Sequence, residues 1–287
     1  MSAVFDCSDP DEREAGLRAA VGAARGGRLV VLPTDTVYGV GADAFDQVAV
    51  AMVLAAKHRG RDVPPPVLVP TVRTVDGLAT DVPMYAKILM RQFWPGALTL
   101  VLRAQPSLAW DLGETNGTVA LRMPDDILTL QVLTEVGPMA VTSANVTGQP
   151  PATTAEEAQA QLGGAVSVYL DGGTRADSAA STIVDCTGEE PVVLRHGALT
   201  ADRLREVLGT TVLHDAPPGT DSEAGTDGEA GPAADAGPAA DATEADSGTP
   251  AGQERVVDPL AAIEARPSGL PVPAGSLRSV GAPESLQ

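Results

Sequence analysis

The chain has 287 residues, 44% hydrophobic and 3% aromatic, with a formal net charge of −19. That is enough apolar material for one large or two small folded domains, while the surplus of carboxylates excludes an extended polyphosphate-binding face, which needs clustered Lys and Arg. Residues 1–213 carry 16 basic and 25 acidic side chains, and residues 214–287 carry 3 and 13.

The first helix is signalled by Ser8 or Asp9 as N-cap, Pro10 in the first turn, and Asp11 and Glu12 at the positive end of the helix dipole. Leu17, Ala20, Val21 and Ala24 give it one apolar face, and Gly26 with Gly27 stops it. Residues 29–32 (LVVL) then predict a buried strand running into Pro33. Further on, the pattern predicts helices over 48–57, 84–93, 127–136, 155–162 and 202–208, and strands over 67–69, 98–102, 119–123, 139–142, 166–170, 182–185 and 192–194. Helices and strands alternate, with some direct strand-to-strand connections. This predicts an α/β (α+β) fold, a twisted mixed parallel and antiparallel sheet flanked by helices.

All eight aromatic side chains precede residue 214. Beyond it the composition collapses into Ala, Gly, Pro, Thr and acidic residues, with AGPAAD twice in tandem at 230–241, and 214–252 holds nine carboxylates and no Lys or Arg. Such a segment cannot bury enough apolar surface to offset the entropy of ordering its backbone. The expected organisation is a folded domain over 1–213 and a disordered acidic tail over 214–287. Cys7 and Cys186 lack metal-ligand or redox spacing and are expected to be neither bridged nor ligating. The acidic N-terminus has no signal-peptide pattern and no run is long enough to span a bilayer, so a cytoplasmic protein with no membrane contact is expected.

Several strand ends carry groups suited to ligand binding. Residues 33–41 (PTDTVYGVG) place Thr34, Asp35, Thr36 and two glycines at the carboxyl end of a buried strand, the edge where open α/β sheets hold ligands. The same composition also fits a turn held by its own hydroxyls. Lys57, Arg59 and Arg61 lie within five positions in KHRGR, either as phosphate donors or as a solvated helix end. Arg122 sits inside the apolar strand 119–123, where burial demands an anion from the protein or from a ligand. Arg195, after Val192, Val193 and Leu194, poses the same choice. The loops 141–148 (VTSANVTG) and 171–182 also empty buried strands into small polar residues. Neither a GxxxxGK[ST] nor a GxGxxG loop occurs.

In order, these segments resemble the YrdC/Sua5 family. PTDTVYGVG is similar to its PT-[DE]-T-x-YG-L element and FWPGALTLVL to its WPGPLT. VALRMP is similar to VAxRxP, and TSANVTGQPPATT to SAN-x-[ST]-G-x-P-x-x-T. DGG followed by STIVD resembles ESTVVD, and VVLRHGAL resembles LRPGAI. The likeness spans roughly residues 12–209.

It implies synthesis of L-threonylcarbamoyl-AMP and pyrophosphate from L-threonine, bicarbonate and ATP. It further implies Mg²⁺ accompanying ATP, and a product passed to a tRNA threonylcarbamoyl transferase complex for N6-threonylcarbamoyladenosine formation, with weak or no direct tRNA binding. By motif, Thr34 or Thr36, Arg122, Ser143 and Ser181 would hold threonine. Lys57, Arg59 or Arg61, with Thr118, Asn145, Thr153 and Arg195, would hold ATP. No residue need act as a nucleophile, and no protein-bound metal is implied. The family's K-x-R fits either Lys57 to Arg59 or Arg59 to Arg61. Pro70 stands where the family often has His, and Ala180 where it has Glu. A second reading is a non-catalytic RNA- or ribosome-binding module on the same fold.

Overall fold

Along residues 98–104 Leu98, Leu100 and Leu102 pack into the core, while Thr99 and Val101 between them face a cavity, the period-2 alternation of a strand with two different faces. That division runs through the sheet of this computed structural model, which describes residues 2–175 and 179–217.

In chain order the elements are β1 (Ala3–Asp6), α1 (Pro10–Arg25), β2 (Val30–Leu32), β3 (Gly39–Asp43), α2 (Gln47–Ala56), β4 (Val67–Leu68), α3 (Val75–Leu78), β5 (Ala79–Thr80), α4 (Met84–Phe93), β6 (Leu98–Ala104), β7 (Thr118–Arg122), α5 (Ile127–Val136), β8 (Met139–Ser143), α6 (Ala155–Leu162), β9 (Val168–Asp171), β10 (Thr182–Asp185), β11 (Val192–Arg195), α7 (Ala201–Leu208) and β12 (His214–Asp215). The strands form one mixed sheet in the order β1-β9-β2-β3-β8-β4-β7-β6-β10-β11-β12, with β5 beside β6. Pairing is parallel for β1 with β9, β9 with β2, β4 with β7, β6 with β10 and β11 with β12. It is antiparallel for β2 with β3, β3 with β8, β8 with β4, β7 with β6, β5 with β6 and β10 with β11. The predicted mixed sheet with flanking helices is the observed one.

Local chemistry sets the helix ends. The Asp9 carboxylate accepts from the amides of Asp11 and Glu12 at the start of α1, and Asp46 does the same for Val48 and Ala49 at α2. Three packed clusters follow from the strand periodicity. On β2, Val30 and Leu32 meet α1 and α5, whereas Val31 faces α2 and α6. A third cluster lies under α4 and α7.

Four strands escaped the sequence pattern: the short β1 and β5, and β3 and β12. β3 was expected to be part of a hydroxyl-rich loop, because GVGAD has poor strand propensity. Gly39 and Gly41 are used here for close approach. A Cβ on either would stand 2.6 and 2.5 Å from the Val141 methyls of β8, so only glycine lets the two strands pair. β12 begins at residue 214, inside the segment expected to be tail. Its pairing with β11 is extended by bonds from the His214 amide to Pro191 O (3.0 Å) and from the Ala216 amide to Val193 O (3.0 Å). Residues 218–287 of the expected tail lie outside the described residues. Cys7 and Cys186 are buried free thiols. Burial pushes the Cys7 thiol up to about 11 and that of Cys186 higher still, which disfavours the thiolate at both.

Candidate active site

The cavity-facing side chains of β6, β7 and β10 floor a pocket of about 570 Å³, the size range of small-molecule sites. Register fixes what lies across it. Leu100 pairs with Leu121, Ile183 with Thr99, and Ile183 with Arg195. Arg122, Thr99, Ile183 and Arg195 therefore share one row across four strands. Three strand spacings separate the two arginines along that row, on the order of 14 Å.

Arg122 is the best-determined member. Its Nε donates to Gly96 O at 3.0 Å, Nη1 to Thr36 Oγ1 at 3.0 Å, and Nη2 to Asp35 Oδ1 at 2.6 Å. Burial lowers its pKa and the Asp35 carboxylate opposes that shift, the balance expected of a desolvated but paired cation. Asp35 is held in turn by the Asp125 amide at 3.0 Å. Of the two alternatives for Arg122, the protein carboxylate is present as Asp35. Three of its five N–H groups are engaged, and the side chain still borders the cavity.

Behind Arg122 runs a chain of hydroxyls. Thr36 Oγ1 accepts from Arg122 and lies 3.0 Å from Thr34 Oγ1, and Thr34 Oγ1 donates to Val37 O at 2.6 Å. Thr34 Oγ1 also accepts from the Thr36 amide at 3.2 Å. Since the Thr34 proton goes to a carbonyl, the bond between the hydroxyls must be donated by Thr36. Thr34 is therefore saturated, and Thr36 keeps one acceptor position on the cavity side.

At the other end of the row Arg195 donates from Nη2 to Ser181 O at 2.9 Å and to Ser181 Oγ at 3.2 Å, and Ser181 Oγ lies 2.9 Å from Thr99 Oγ1. Arg59 donates from Nε to Val63 O at 2.8 Å and from Nη1 to Thr142 Oγ1 at 3.1 Å, which turns its guanidinium to the cavity wall. Thr34, Thr36, Arg59, Thr118, Arg122, Ser143, Ser181 and Arg195 all line the pocket.

The remaining candidates lie elsewhere. Lys57 is fully buried and donates from Nζ to Ser143 O (2.7 Å), Ser143 Oγ (3.2 Å) and Asn145 Oδ1 (3.0 Å). Asn145, also fully buried, donates to Val146 O and Gln149 O. Lysine and asparagine together fold the 142–149 loop that presents Ser143. Thr153 gives its amide and hydroxyl to the Glu157 carboxylate at the start of α6. Arg61 reaches away to Asp111, 2.6 Å distant and exposed. Its hydrogen bond and charge hold Asp111 below the usual carboxylate range. Pro70 is not part of the pocket lining and Ala180 is.

The pocket also contains residues that motif reading passed over. Thr99 follows from strand alternation alone. Leu112, Glu114, Thr115 and Asn116 come from the loop between β6 and β7, and the Asn116-Gly117 dipeptide, both residues at positive φ, is the signal that could have placed it. Tyr38 ties the strand end to the 171–173 loop. Its hydroxyl donates to Gly173 O at 2.7 Å and accepts from the Gly172 amide at 3.0 Å, and burial beside Asp171 raises its pKa. Among the described residues no three His, Cys, Asp or Glu side chains cluster as a metal site, and no helix is long and apolar enough to cross a membrane.

The sequence profile of Sua5_yciO_yrdC, described as "Telomere recombination", matches residues 23–197, and a Mycobacterium tuberculosis protein is 56% identical over 209 residues, 73% of this chain and 96% of its own. The chain belongs to the Sua5/YciO/YrdC family. That mycobacterial relative is provisionally named a threonylcarbamoyl-AMP synthase, and a Pyrococcus abyssi protein bearing the name outright is 36% identical over 71% of this chain and 60% of its own. The solved structure of P. abyssi Sua5 with L-threonine superposes with a TM-score of 0.69 at 33% identity, covering 75% of this chain and 62% of that one. E. coli YciO shares the fold, with a TM-score of 0.62 at 24% identity over 71% of this chain and all of that one.

Proposed function

We propose that this Sua5/YciO/YrdC chain synthesises L-threonylcarbamoyl-AMP from L-threonine, bicarbonate and ATP, releasing pyrophosphate, for transfer to tRNA by a separate threonylcarbamoyl transferase. The observation that carries this reading is Arg122, a buried guanidinium on a cavity wall with N–H groups beyond those its protein partners use. A forked cation of this kind suits a carboxylate, and relatives named for this activity, one of them solved with L-threonine, support the choice.

In this reading the threonine carboxylate meets Arg122, and the open acceptor of Thr36 receives a hydrogen bond from the amine or hydroxyl. Ser143 and Ser181 border the same space. The amine combines with bicarbonate to give a carbamate, with loss of water. A carbamate oxygen then attacks the α-phosphorus, and the bond to the β-phosphate oxygen breaks so that pyrophosphate leaves. Arg59 and Arg195 neutralise charge that builds on the phosphates. Mg²⁺ enters with ATP as part of the substrate, because the donor set here is guanidinium and hydroxyl rather than a carboxylate cluster. The protein's contribution is to position and to compensate charge.

The RNA-binding alternative loses its main support. Of the three cations in KHRGR, Lys57 is buried and Arg61 is paired with Asp111, so the run presents no basic patch. The test is pyrophosphate release from purified protein with Mg²⁺. Release should require ATP, threonine and bicarbonate together and yield an adenylate of threonine plus one carbon dioxide by mass. Salt-sensitive RNA binding without turnover would overturn the assignment.

A further inference from the structure

The 105–117 connection between β6 and β7 forms a strap along the cavity, giving it Leu112, Glu114, Thr115 and Asn116. Arg61 lies in the loop between α2 and β4, which supplies the facing Arg59, Asp62 and Pro64. Arg61 fastens the two loops through both its side chain and its backbone. Arg61 Nη2 meets Asp111 Oδ1 at 2.6 Å, Arg61 O accepts from the Glu114 amide at 2.8 Å, and Asp111 Oδ1 also accepts from the Gly113 amide at 3.2 Å. Gly113 has φ +111°, and a Cβ there would stand 2.5 Å from Arg61 O. At the strap's near end Trp110 stacks on Phe45, with ring centroids 5.6 Å apart.

Charge along the cavity gives the strap a role. Thr118 lies four residues from Arg122 on β7, on the order of 13 Å along the strand. The strap side carries two carboxylates, Glu114 and Asp62, against the one guanidinium of Arg59, whereas Arg122 and Arg195 stand in the far row. A triphosphate is favoured along the guanidinium side, between Arg59 and the far row, and is repelled by Glu114 on the strap. The apolar Leu112 and the amide of Asn116 suit the base and ribose of the same nucleotide.

We propose that Arg61 is a positioning residue for the nucleoside half of ATP: it touches no phosphate and acts by clasping the strap through Asp111. This rests on the nucleotide-dependent reaction proposed above. The test uses the full chain as Arg61→Asp, Asp111→Arg and the double exchange. The readouts are amide hydrogen exchange over 105–117 without substrate, ATP affinity by calorimetry, and KM and kcat from pyrophosphate release.

Each single variant speeds exchange at Gly113 and Glu114 and weakens ATP about fivefold, the scale of an exposed ion pair. The KM for threonine and kcat stay within about twofold, and the double exchange restores ATP affinity. Arg61→Gln and Asp111→Asn supply the same comparison should a reversed charge unfold the chain. The proposal falls if Asp111→Arg leaves ATP affinity and exchange unchanged, or if the double variant binds ATP no better than Arg61→Asp. If the wild type binds ATP but releases no pyrophosphate, the synthase reading fails, and exchange with calorimetry still judges the clasp.

Discussion

The two ends of the cavity are built on opposite principles. Around Arg122, Thr34, Thr36 and Arg122 itself are buried and Asp35 keeps only 16% of its side chain accessible, each bonded to groups that are themselves bonded, and Asp35 is fixed by the Asp125 amide. Around Arg61 the pair is half exposed, with 54% and 39% of the two side chains accessible. A buried network sets one geometry because any unpartnered group is costly. A surface clasp contributes little and can open. In the proposed reaction one end is pre-shaped for a small amino acid, and the other yields while a larger nucleotide enters.

The comparison breaks most severely at Arg122. Arg122→Ala leaves Asp35, only 16% exposed, without its cation, and loss of stability should reach about 3 kcal/mol, read by thermal or urea unfolding. Threonine-dependent kcat/KM should fall about 100-fold, from the lost charged hydrogen bonds. Equal threonine dependence in variant and wild type would remove Arg122 from the site. Lys57→Met comes next. Ser143 and Asn145 lose a buried donor, at about 2–4 kcal/mol, and the activity that remains should show a raised threonine KM because Ser143 shifts.

Gly113→Ala forces a positive φ and a contact with Arg61 O on a residue with a Cβ. It should cost about 1–3 kcal/mol and raise the KM for ATP more than that for threonine. The smallest effects are at the C-terminus. Removing 218–287 should leave melting temperature and kinetics unchanged, whereas removing 214–287 also strips β12 from β11 and should lower stability by about 1 kcal/mol. Equal melting curves for the two truncations would show that β12 adds nothing.

Helices were legible wherever apolar spacing and caps agreed, and 84–93, 127–136 and 155–162 were predicted with the bounds observed. Strands were legible when dense in Val, Ile and Leu. β3 was not, because its glycines are chosen by a neighbour, Val141, that is distant in sequence. β12 was not, because two polar residues carry no period. The site divides in the same way. Arg122 could be singled out because a cation inside an apolar strand must be paired. The roles of Lys57 and Arg61 were illegible, since their separation in sequence says nothing of which one a helix end turns inward. The partner that captures Arg61, Asp111, is fifty residues away.

The hydroxyl chain behind Arg122 has one more property. Its direction is set at both ends, by a guanidinium that can only donate and a carbonyl that can only accept. Thr36 and Thr34 therefore cannot reverse, and the wall offers a lone pair at Thr36 whatever arrives. A carboxylate or phosphate oxygen is turned away from that point and an N–H or O–H is received. Nothing in the chain titrates near neutrality, since arginine holds its proton and threonine does not ionise. This wall should therefore orient an amino acid equally well at pH 6 and pH 9, and any pH dependence of turnover in that range must come from the substrates.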